Sequence, residues 1–478
     1  MERLRTIVDP VTSAKIVDAG MVKDVKLGPA DGEASFTLEL PTGAYPGWQA
    51  MRQEASDAVA SLPWLAEAAV EVRARPPVAA GKQPPNLQRV GCVLAVSSCK
   101  GGVGKSTVAV NLAYALAQAG GRVGIFDADV YGPSLPQMID AGDGKVSSPD
   151  GGKTIIPIEY EGVACMSYGF VGGGKAAIAR GPMVANTITQ LVTGTAWGEL
   201  DYLVLDMPPG TGDVQLTLCQ QLTINAAVIV STPQRLAFID VVKGAEMFEE
   251  LKVPVVGIVD NMAYFDCDHG ERYWPFGKGH YEELQRMPSL AGAPVFTLPM
   301  SEQISGSADS GRAIVLQHVA GAARGKDETR EARSGQDAAD RYREAAAGVV
   351  AVVLRLQRSA DAMPDVSWNA KRGAVVVRWL RGPRAGCEVS QPAKQLRMSC
   401  RCALCVDEMS GEQLLKPEQV SDDITATEMA TVGNYAFSVK WSDPAATRRG
   451  MAEHESIFPM AAVLKQLDEG LENAETHS

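Results

Sequence analysis

No apolar run in the 478 residues approaches the ~18 that a membrane-spanning helix needs, so membrane insertion is not expected. Basic charge is short as well. There are 45 Lys and Arg against 57 Asp and Glu, a formal charge of -12. Nucleic-acid binding relies on clustered Lys and Arg against phosphates, so this balance argues against a general nucleic-acid binder. The first residues, MERLRTIVDP, contain neither the apolar core of a secretory signal nor a Ser/Arg-rich transit segment. The expectation is a cytoplasmic protein, or a chain given without its leader. Cysteine is sparse, at nine residues, which does not make a disulfide scaffold over this length. Three of the nine are Cys400, Cys402 and Cys405, a cluster suited to metal or cluster ligation in a reducing compartment. Apolar content of 46% and charged content of 21% are ordinary for a globular chain. The length suggests roughly three domains at ~150 residues each.

What is present is SCKGGVGKST, from Ser98 to Thr107. It lies between an apolar run, Val93 to Val96, and a helical pattern, Val108 to Ala117. Strand, glycine loop and helix form the context that a phosphate-binding P-loop requires. Gly101, Gly102, Val103 and Gly104 turn backbone N–H groups inward around phosphate oxygens, with a helix N-terminus behind them. Lys105 is expected to reach the β- and γ-phosphates of ATP, and Ser106, followed by Thr107, to ligate Mg²⁺. Cys99 stands at the first glycine of the GxxxxGK[ST] pattern. Lys100 is a second lysine that an ordinary P-loop does not need.

Three acidic stations follow. Asp127 and Asp129, in FDADVYGPS, close an apolar strand and are placed to orient the attacking water and reach the metal's outer shell. Asp206, in LVLDMPPGTGD, ends another strand and is the expected Mg²⁺ partner. The PPGTG beyond it is stiff and then flexible, as a γ-phosphate-sensing switch should be. Asp213 is the third station. Asn261, just after the run Val255–Val259, is placed to read the adenine edge.

The periodicities predict a small α+β unit over 1–76, with Thr12–Asp18 helical, strands at Val22–Leu27, Ser35–Leu40 and Val70–Ala74, and a helix over Gln49–Leu62. A Pro-rich linker, Arg75 to Gln88, follows and separates that unit from residues 90–358. There, strands and helices alternate, which predicts an α/β fold with a doubly wound parallel sheet. Its near-continuous apolar runs are Val93–Val96, Val123–Phe126, Tyr202–Leu205, Ala227–Val230 and Val255–Val259. Ala323–Arg341 is charged and reads as a solvated insertion or loop. Tyr342–Leu356 resumes a helix, and a short linker at 359–365 leads to a third unit over 366–478. That unit is also predicted as small and α+β, with strands at Ala374–Trp379 and Tyr435–Trp441 and a helix at Val463–Leu471.

KGGVGKST with Lys100, DADVYGPS and DMPPGTGD together resemble the Mrp/ApbC branch of the deviant-Walker P-loop ATPases, relatives of nitrogenase iron protein and the MinD/ParA proteins. GPSLP, RGPM (Arg180–Met183) and STPQ (Ser231–Gln234) match that branch too. The resemblance implies a nucleotide-sandwich homodimer in which Lys100 reaches the partner's nucleotide, Asp129 activates water and Asp127 acts as a switch. It also implies an ATPase that carries or helps build [4Fe–4S] clusters, with apoproteins and assembly factors as partners. IVDP (Ile7–Pro10) and LPWL (Leu62–Leu65) are similar to a small domain of iron–sulfur assembly factors. That domain usually has a cysteine where this chain has Tyr45, before Pro46, so an interaction module without a thiol is expected. WGELDYLVLDMPPG, RYWPFGKG, CVDEMSGEQ and VGNYAFSVKW resemble the three-domain plastid high-chlorophyll-fluorescence form, which implies the plastid stroma, with the cytoplasm as the alternative.

RMSCRCALC places three thiols, Cys400, Cys402 and Cys405, at a spacing that converges on one soft metal if the chain turns tightly. A resembling small domain, at the N-terminus of γ-butyrobetaine hydroxylase, holds zinc with three such cysteines and a histidine. Arg397, Trp441 and His454 stand in matching places, making His454 the implied fourth ligand. A Cys₃His zinc site, a contribution of Cys405 to a [4Fe–4S] site, and unligated thiols are the three alternatives. Mrp-type proteins usually hold their cluster at a CxxC after the adenine-reading Asn. In NMAYFDCDHG, Cys267 has the first of those positions and Gly270 the second. Cys267, Cys405 and Cys99 are therefore the candidate cluster ligands. The sequence is also compatible with two rival functions: a MinD/ParA-like positioning ATPase, which the acidic C-terminus LKQLDEGLENAETHS disfavours, and a scaffold without turnover.

Overall fold

The computed structural model describes residues 1–459 except 28–32, 66, 80–82, 143–145, 152–153, 172–180, 211, 268, 270, 280–283, 285, 291, 319–329, 362–364, 380–386, 403–404, 407–412, 433–435 and 444–453. The first residues form a three-stranded sheet of β1 (Val22–Leu27), β2 (Glu33–Leu40) and β3 (Glu67–Ala74). β1 and β2 are antiparallel. β2 and β3 are parallel, as they must be once the helix α1 (Trp48–Ala60) crosses between them. Met51, Ala55 and Val59, four residues apart, form the buried face of α1. Thr12–Asp18, expected as helical, is instead a set of turns closed by a Val8–Lys15 bridge. The cause is Asp9, whose buried carboxylate accepts the N–H groups of Val11 (3.0 Å) and Thr12 (3.2 Å) and the Tyr45 hydroxyl (2.5 Å). Short acidic side chains compete with helix in this way.

This small sheet does not stand apart. Met1–Leu354 make one compact unit, and Leu4, Phe36, Leu38 and Met51 share a core with residues of the central sheet and its helices. A Cβ on Gly43 would lie 2.0 Å from the Gly120 carbonyl oxygen, so two backbones meet where no side chain fits. The Pro-rich linker is held at Arg75 and Gln83. Arg122 Nη2 donates to the Arg75 carbonyl (3.0 Å), and the buried Gln83 both donates to and accepts from the Thr223 backbone (2.7 and 3.2 Å).

The central sheet has nine strands: β4 (Val90–Ser97), β5 (Val123–Asp127), β6 (Ile158–Tyr160), β7 (Val163–Ser167), β8 (Leu200–Asp206), β9 (Ala226–Ser231), β10 (Val255–Asp266), β11 (Arg272–Tyr273) and β12 (Val295–Pro299). Its order is β11-β10-β9-β4-β8-β5-β7-β6, with β12 also paired to β10. Only β6 and β11 run antiparallel to their neighbours. All five anticipated strands are present, and β4, β5, β8 and β9 are almost wholly buried, which is why they read as unbroken apolar runs. After β4 the chain passes through α2 (Lys105–Gln118) to β5, with β8 inserted between the two strands. β9 lies on the other side of β4. Such a reversal opens a crevice at the carboxyl ends of the strands.

The charged stretch 323–341 departs from expectation. From Arg330 it is part of a 32-residue helix, Arg330–Asp361. Ala338, Ala339, Tyr342, Ala346, Val349, Val350 and Val353 are buried at helical spacing, so small alanines supplied an apolar stripe that the flanking charges masked.

Residues 355–478 form a second compact unit. Its described part is mostly β: one antiparallel sheet of β13 (Asp365–Asn369), β14 (Ala374–Arg378) and β15 (Glu388–Pro392), and another of β16 (Thr425–Val432), β17 (Ala436–Ser442) and β18 (His454–Pro459). A short helix, Ala393–Met398, follows β15. Val375, Val377, Trp379, Phe437, Val439 and Trp441 fill the core. The expected helix Val463–Leu471 lies outside the described residues.

Candidate functional site

The glycine loop leaves β4 at Ser97 and enters α2 at Lys105. Gly102 and Gly104 have φ of 80° and 83°, a left-handed backbone that other residues rarely adopt. A Cβ on Gly104 would also lie 2.3 Å from Asn261 Nδ2. That amide donates to the Val103 carbonyl (2.8 Å). Asn261, expected at the adenine edge, here buttresses the loop itself. Lys100 and Gly101 are exposed at the rim, and among the described residues the Lys100 ammonium forms no ion pair. Thr107 is half-buried in the first turn of α2.

Lys105 is buried and paired with Asp206, and its ammonium donates to Ser106 Oγ at 3.2 Å. Burial raises the Asp206 carboxyl above its ordinary range, against the pull of Lys105 and Ser106. Asp127 on β5 is the direct register partner of Asp206 on β8, so two carboxylates end adjacent strands. Burial, and then the charge of Asp206, push Asp127 up to about 6. It accepts N–H groups from Asp129 (3.0 Å), Ser134 (3.0 Å) and Leu135 (3.1 Å), and the Ser167 hydroxyl at 3.1 Å. Asp129 is half-buried and caps its own turn, accepting from the N–H groups of Tyr131 (3.2 Å) and Gly132 (3.1 Å). Asp213 opens the helix Asp213–Gln221, and its side chain lies outside the described residues.

Two partners were not legible in the sequence. Ser167 ends β7, and only the sheet order sets it beside Asp127. Gln215 is buried in the helix after the PPGTG segment, where its amide donates to the Pro208 carbonyl (2.5 Å) and to Ser97 Oγ (3.3 Å). It ties the switch segment to the strand beneath the P-loop. The Met207 N–H to the Val96 carbonyl (3.0 Å) and the Gly210 N–H to the Ser98 carbonyl (2.9 Å) add to that tie.

The candidate cluster thiols of the first unit stay separate. Cys99 packs on the helix Arg235–Glu250, where a Cβ on Gly244 would lie 2.7 Å from its sulfur. Burial, then Asp240, push its thiol up to about 11. Cys267 is half-buried in the turn between β10 and β11, where its N–H donates to the Glu271 carbonyl (2.9 Å).

The second unit brings four ligands together. Cys400 and Cys402 follow the helix Ala393–Met398, and the Cys405 N–H bonds back to the Cys402 carbonyl (2.8 Å), the tight turn that the spacing requires. His454 begins β18, placed by its pairing with Trp441 on β17. His454 Nε2 lies 3.6, 3.6 and 3.8 Å from the sulfurs of Cys400, Cys402 and Cys405, and all four ligand atoms fall within 4.8 Å of one another. With Zn–S of ~2.3 Å and Zn–N of ~2.0–2.1 Å, the S···N edge of a tetrahedron about one ion is about 3.6 Å. The cage has the size of a single ion. A cluster would interpose its own irons and spread the ligands further. Burial works against the Cys400 thiolate, but hydrogen bonds from His454 and Ser456 leave its thiol below the ordinary value. Burial pushes Cys405 up to about 11 in spite of Arg397. Among the described residues no other group of three or more such ligands comes together.

Comparison with known proteins covers all three regions. Residues 89–330 match the family described as NUBPL iron-transfer P-loop NTPase. Residues 1–72 match the iron–sulfur cluster assembly protein family, and 366–451 the γ-butyrobetaine hydroxylase-like N-terminal family. The chain is 45% identical over 446 residues to "Fe-S cluster assembly factor HCF101, chloroplastic" of Arabidopsis thaliana, covering 93% of this chain and 79% of that protein. It is 40% identical over 320 residues to an iron–sulfur cluster carrier protein of Deinococcus radiodurans, covering 66% of this chain and 89% of the relative. Among solved structures it is 41% identical to a nucleotide-binding protein of Archaeoglobus fulgidus in complex with ADP, over 48% of this chain and 89% of that one, with a TM-score of 0.42. A P-loop whose lysine meets a strand-end aspartate, together with these matches, shows that the chain belongs to the iron-transfer P-loop NTPases, in the branch of iron–sulfur cluster assembly and carrier proteins.

Proposed function

We propose that this chain hydrolyses ATP as a homodimer and couples turnover to holding a [4Fe–4S] cluster and delivering it to apoproteins. The observation that carries the hydrolytic part is the buried Lys105–Asp206 pair with Asp127 in register beside it, at the crevice edge of the sheet. Without nucleotide, the lysine neutralises Asp206. An incoming triphosphate competes for that lysine and releases the carboxylate. Ser106 and Asp206 are the residues suited to hold Mg²⁺, which would neutralise charge on the phosphates. Asp129, half-buried and at the end of the same strand turn, suits the orientation of water. The exposed Lys100 is free to reach a second subunit's phosphates, which supports the homodimer. Asp127 holds 128–135 through backbone N–H groups, so a shift of its strand end would move that whole segment.

The cluster is cargo here. Membership of the carrier branch supports its delivery to apoproteins, and similarity to a chloroplastic factor supports the plastid stroma. The thiols of the first unit that remain candidates to hold it are Cys267 and Cys99. The Cys₃His cage fits one zinc ion, held by Cys400, Cys402, Cys405 and His454 in a structural role.

The test is paired. Purified protein should turn over ATP, and Lys100→Ala should lower that turnover at least about tenfold without loss of thermal stability, since Lys100 is exposed and, among the described residues, its ammonium forms no ion pair. Lys105→Ala should abolish turnover. Reconstituted anaerobically with iron and sulfide, the wild type should gain thiolate-to-iron charge-transfer absorbance and pass it to an apoprotein. A protein that hydrolyses ATP yet never takes up iron would refute the carrier role, and one that takes up iron without any turnover would leave only a scaffold.

A further inference from the structure

Arg397 stands in the second unit as a buried cation that, among the described residues, pairs with no carboxylate. It is 7% exposed, and its Nη1 lies 3.1 Å from Cys405 Sγ. Among the described residues no acidic side chain meets it; the ion pairs nearby, Arg372–Glu388, Arg378–Glu388 and Lys394–Asp422, all lie at the surface. A guanidinium keeps its proton in a protein, so its burial needs an anion at hand. Among the described residues, the one group it touches that can become an anion is a cysteine of the cage.

The charge of the cage supplies the reason. Three thiolates and a neutral imidazole around a divalent ion leave one net negative charge in a buried place. One guanidinium cancels it. The short helix Ala393–Met398 carries Arg397 into this position, packing Ala393 and Leu396 into the same core as Cys400 and Cys405. An N–H aimed at a thiolate also withdraws charge from sulfur and fixes the ligand's direction, as the outer partners of metal ligands generally do.

We propose that Arg397 is the charge partner and positioning residue of the Cys400–Cys402–Cys405–His454 cage, donating to Cys405 and neutralising the complex formed with a single divalent ion. This rests on the proposal that the cage holds one ion. Lysine is no equivalent, because its ammonium is a more strongly hydrated point charge without the fixed fork.

The experiment is zinc competition on the full chain with a chromophoric chelator, for wild type, Arg397→Lys, Arg397→Gln and Arg397→Met, followed by reloading with cobalt(II). Arg397→Met should weaken zinc by about 10–100-fold. It should also move the thiolate-to-cobalt charge-transfer band to lower energy, which a purely structural defect would not do. Wild-type zinc affinity and an unshifted cobalt band in Arg397→Met overturn the assignment. If that variant does not fold, the other two decide. Tighter zinc in Arg397→Lys, which keeps the charge, than in Arg397→Gln supports charge pairing, and equal affinities overturn it. A wild type that binds no zinc or cobalt overturns the single-ion reading of the cage itself. Normal wild-type binding with an indifferent Arg397→Met overturns only the role of Arg397.

Discussion

Asp127 and Asp206 end neighbouring strands and compete to be charged at the same buried strand ends. Asp127, raised from 3.8 to about 6, holds its proton more tightly folded than unfolded. Its contribution to stability is therefore full below the unfolded value and is lost as pH rises through the folded one. A rise of that size corresponds to on the order of 3 kcal/mol. Asp127→Asn removes this dependence, so its stability relative to wild type should climb by up to that amount between about pH 4 and pH 7. Urea unfolding of both proteins across that range checks it, and a flat difference would count against the raised carboxyl. The three acids Asp127, Asp129 and Asp206 were legible because each closes an apolar run that reads as a strand. Ser167 and Gln215 were not, since a serine after an apolar run and a glutamine in a helix carry no local mark. Their roles depend on which strand lies beside which. Asn261 was noticed for its place after the apolar run Val255–Val259, but its contact with the Val103 carbonyl depends on how β10 meets the loop.

At the scale of elements, the small N-terminal sheet meets the turn after α2 through Gly43 and Gly120. Gly43→Ala would drive a methyl into a carbonyl oxygen, a backbone group that cannot swing aside. Overpacking of this kind costs about 1–3 kcal/mol. The expected result is a lower denaturant midpoint and faster proteolysis within Arg75–Gln88, the linker that Arg122 and Gln83 otherwise hold down. An unchanged midpoint and cleavage pattern would show that the contact gives way cheaply. Five of the nine strands of the central sheet were legible because buried parallel strands are apolar on both faces, whereas β6, β7, β11 and β12 were not anticipated. The N-terminal half of the helix Arg330–Asp361 was not. Its buried stripe is built largely of alanine, which weighs little against a dense run of charge.

Across the whole molecule, the two compact units should respond to different ligands. A structural zinc supplies roughly 10–16 kcal/mol of folding free energy in small zinc domains. Stripping the metal with a strong chelator should therefore abolish or sharply lower the unfolding transition of 355–478. The transition of 1–354 should stay in place and rise only with nucleotide, by about 2.7 kcal/mol at a hundredfold excess over Kd. Scanning calorimetry with and without chelator and nucleotide separates the two, and a chelator-indifferent thermogram would argue against a structural ion.

Local pattern alone was enough to establish the phosphate loop, the acids at the strand ends, the alternation of strand and helix, and the close spacing of Cys400, Cys402 and Cys405. All of these are local patterns, set by periodicity and by the few residues able to do the chemistry. It took the folded chain to establish that Lys105 is held by Asp206, that Asp127 stands between Asp206 and Ser167, that Leu4, Phe36, Leu38 and Met51 share the core of the nucleotide unit, and that His454 closes the cage with Arg397 behind Cys405. Each of these joins segments far apart in the chain, through strand order and packed cores that no single stretch of residues encodes.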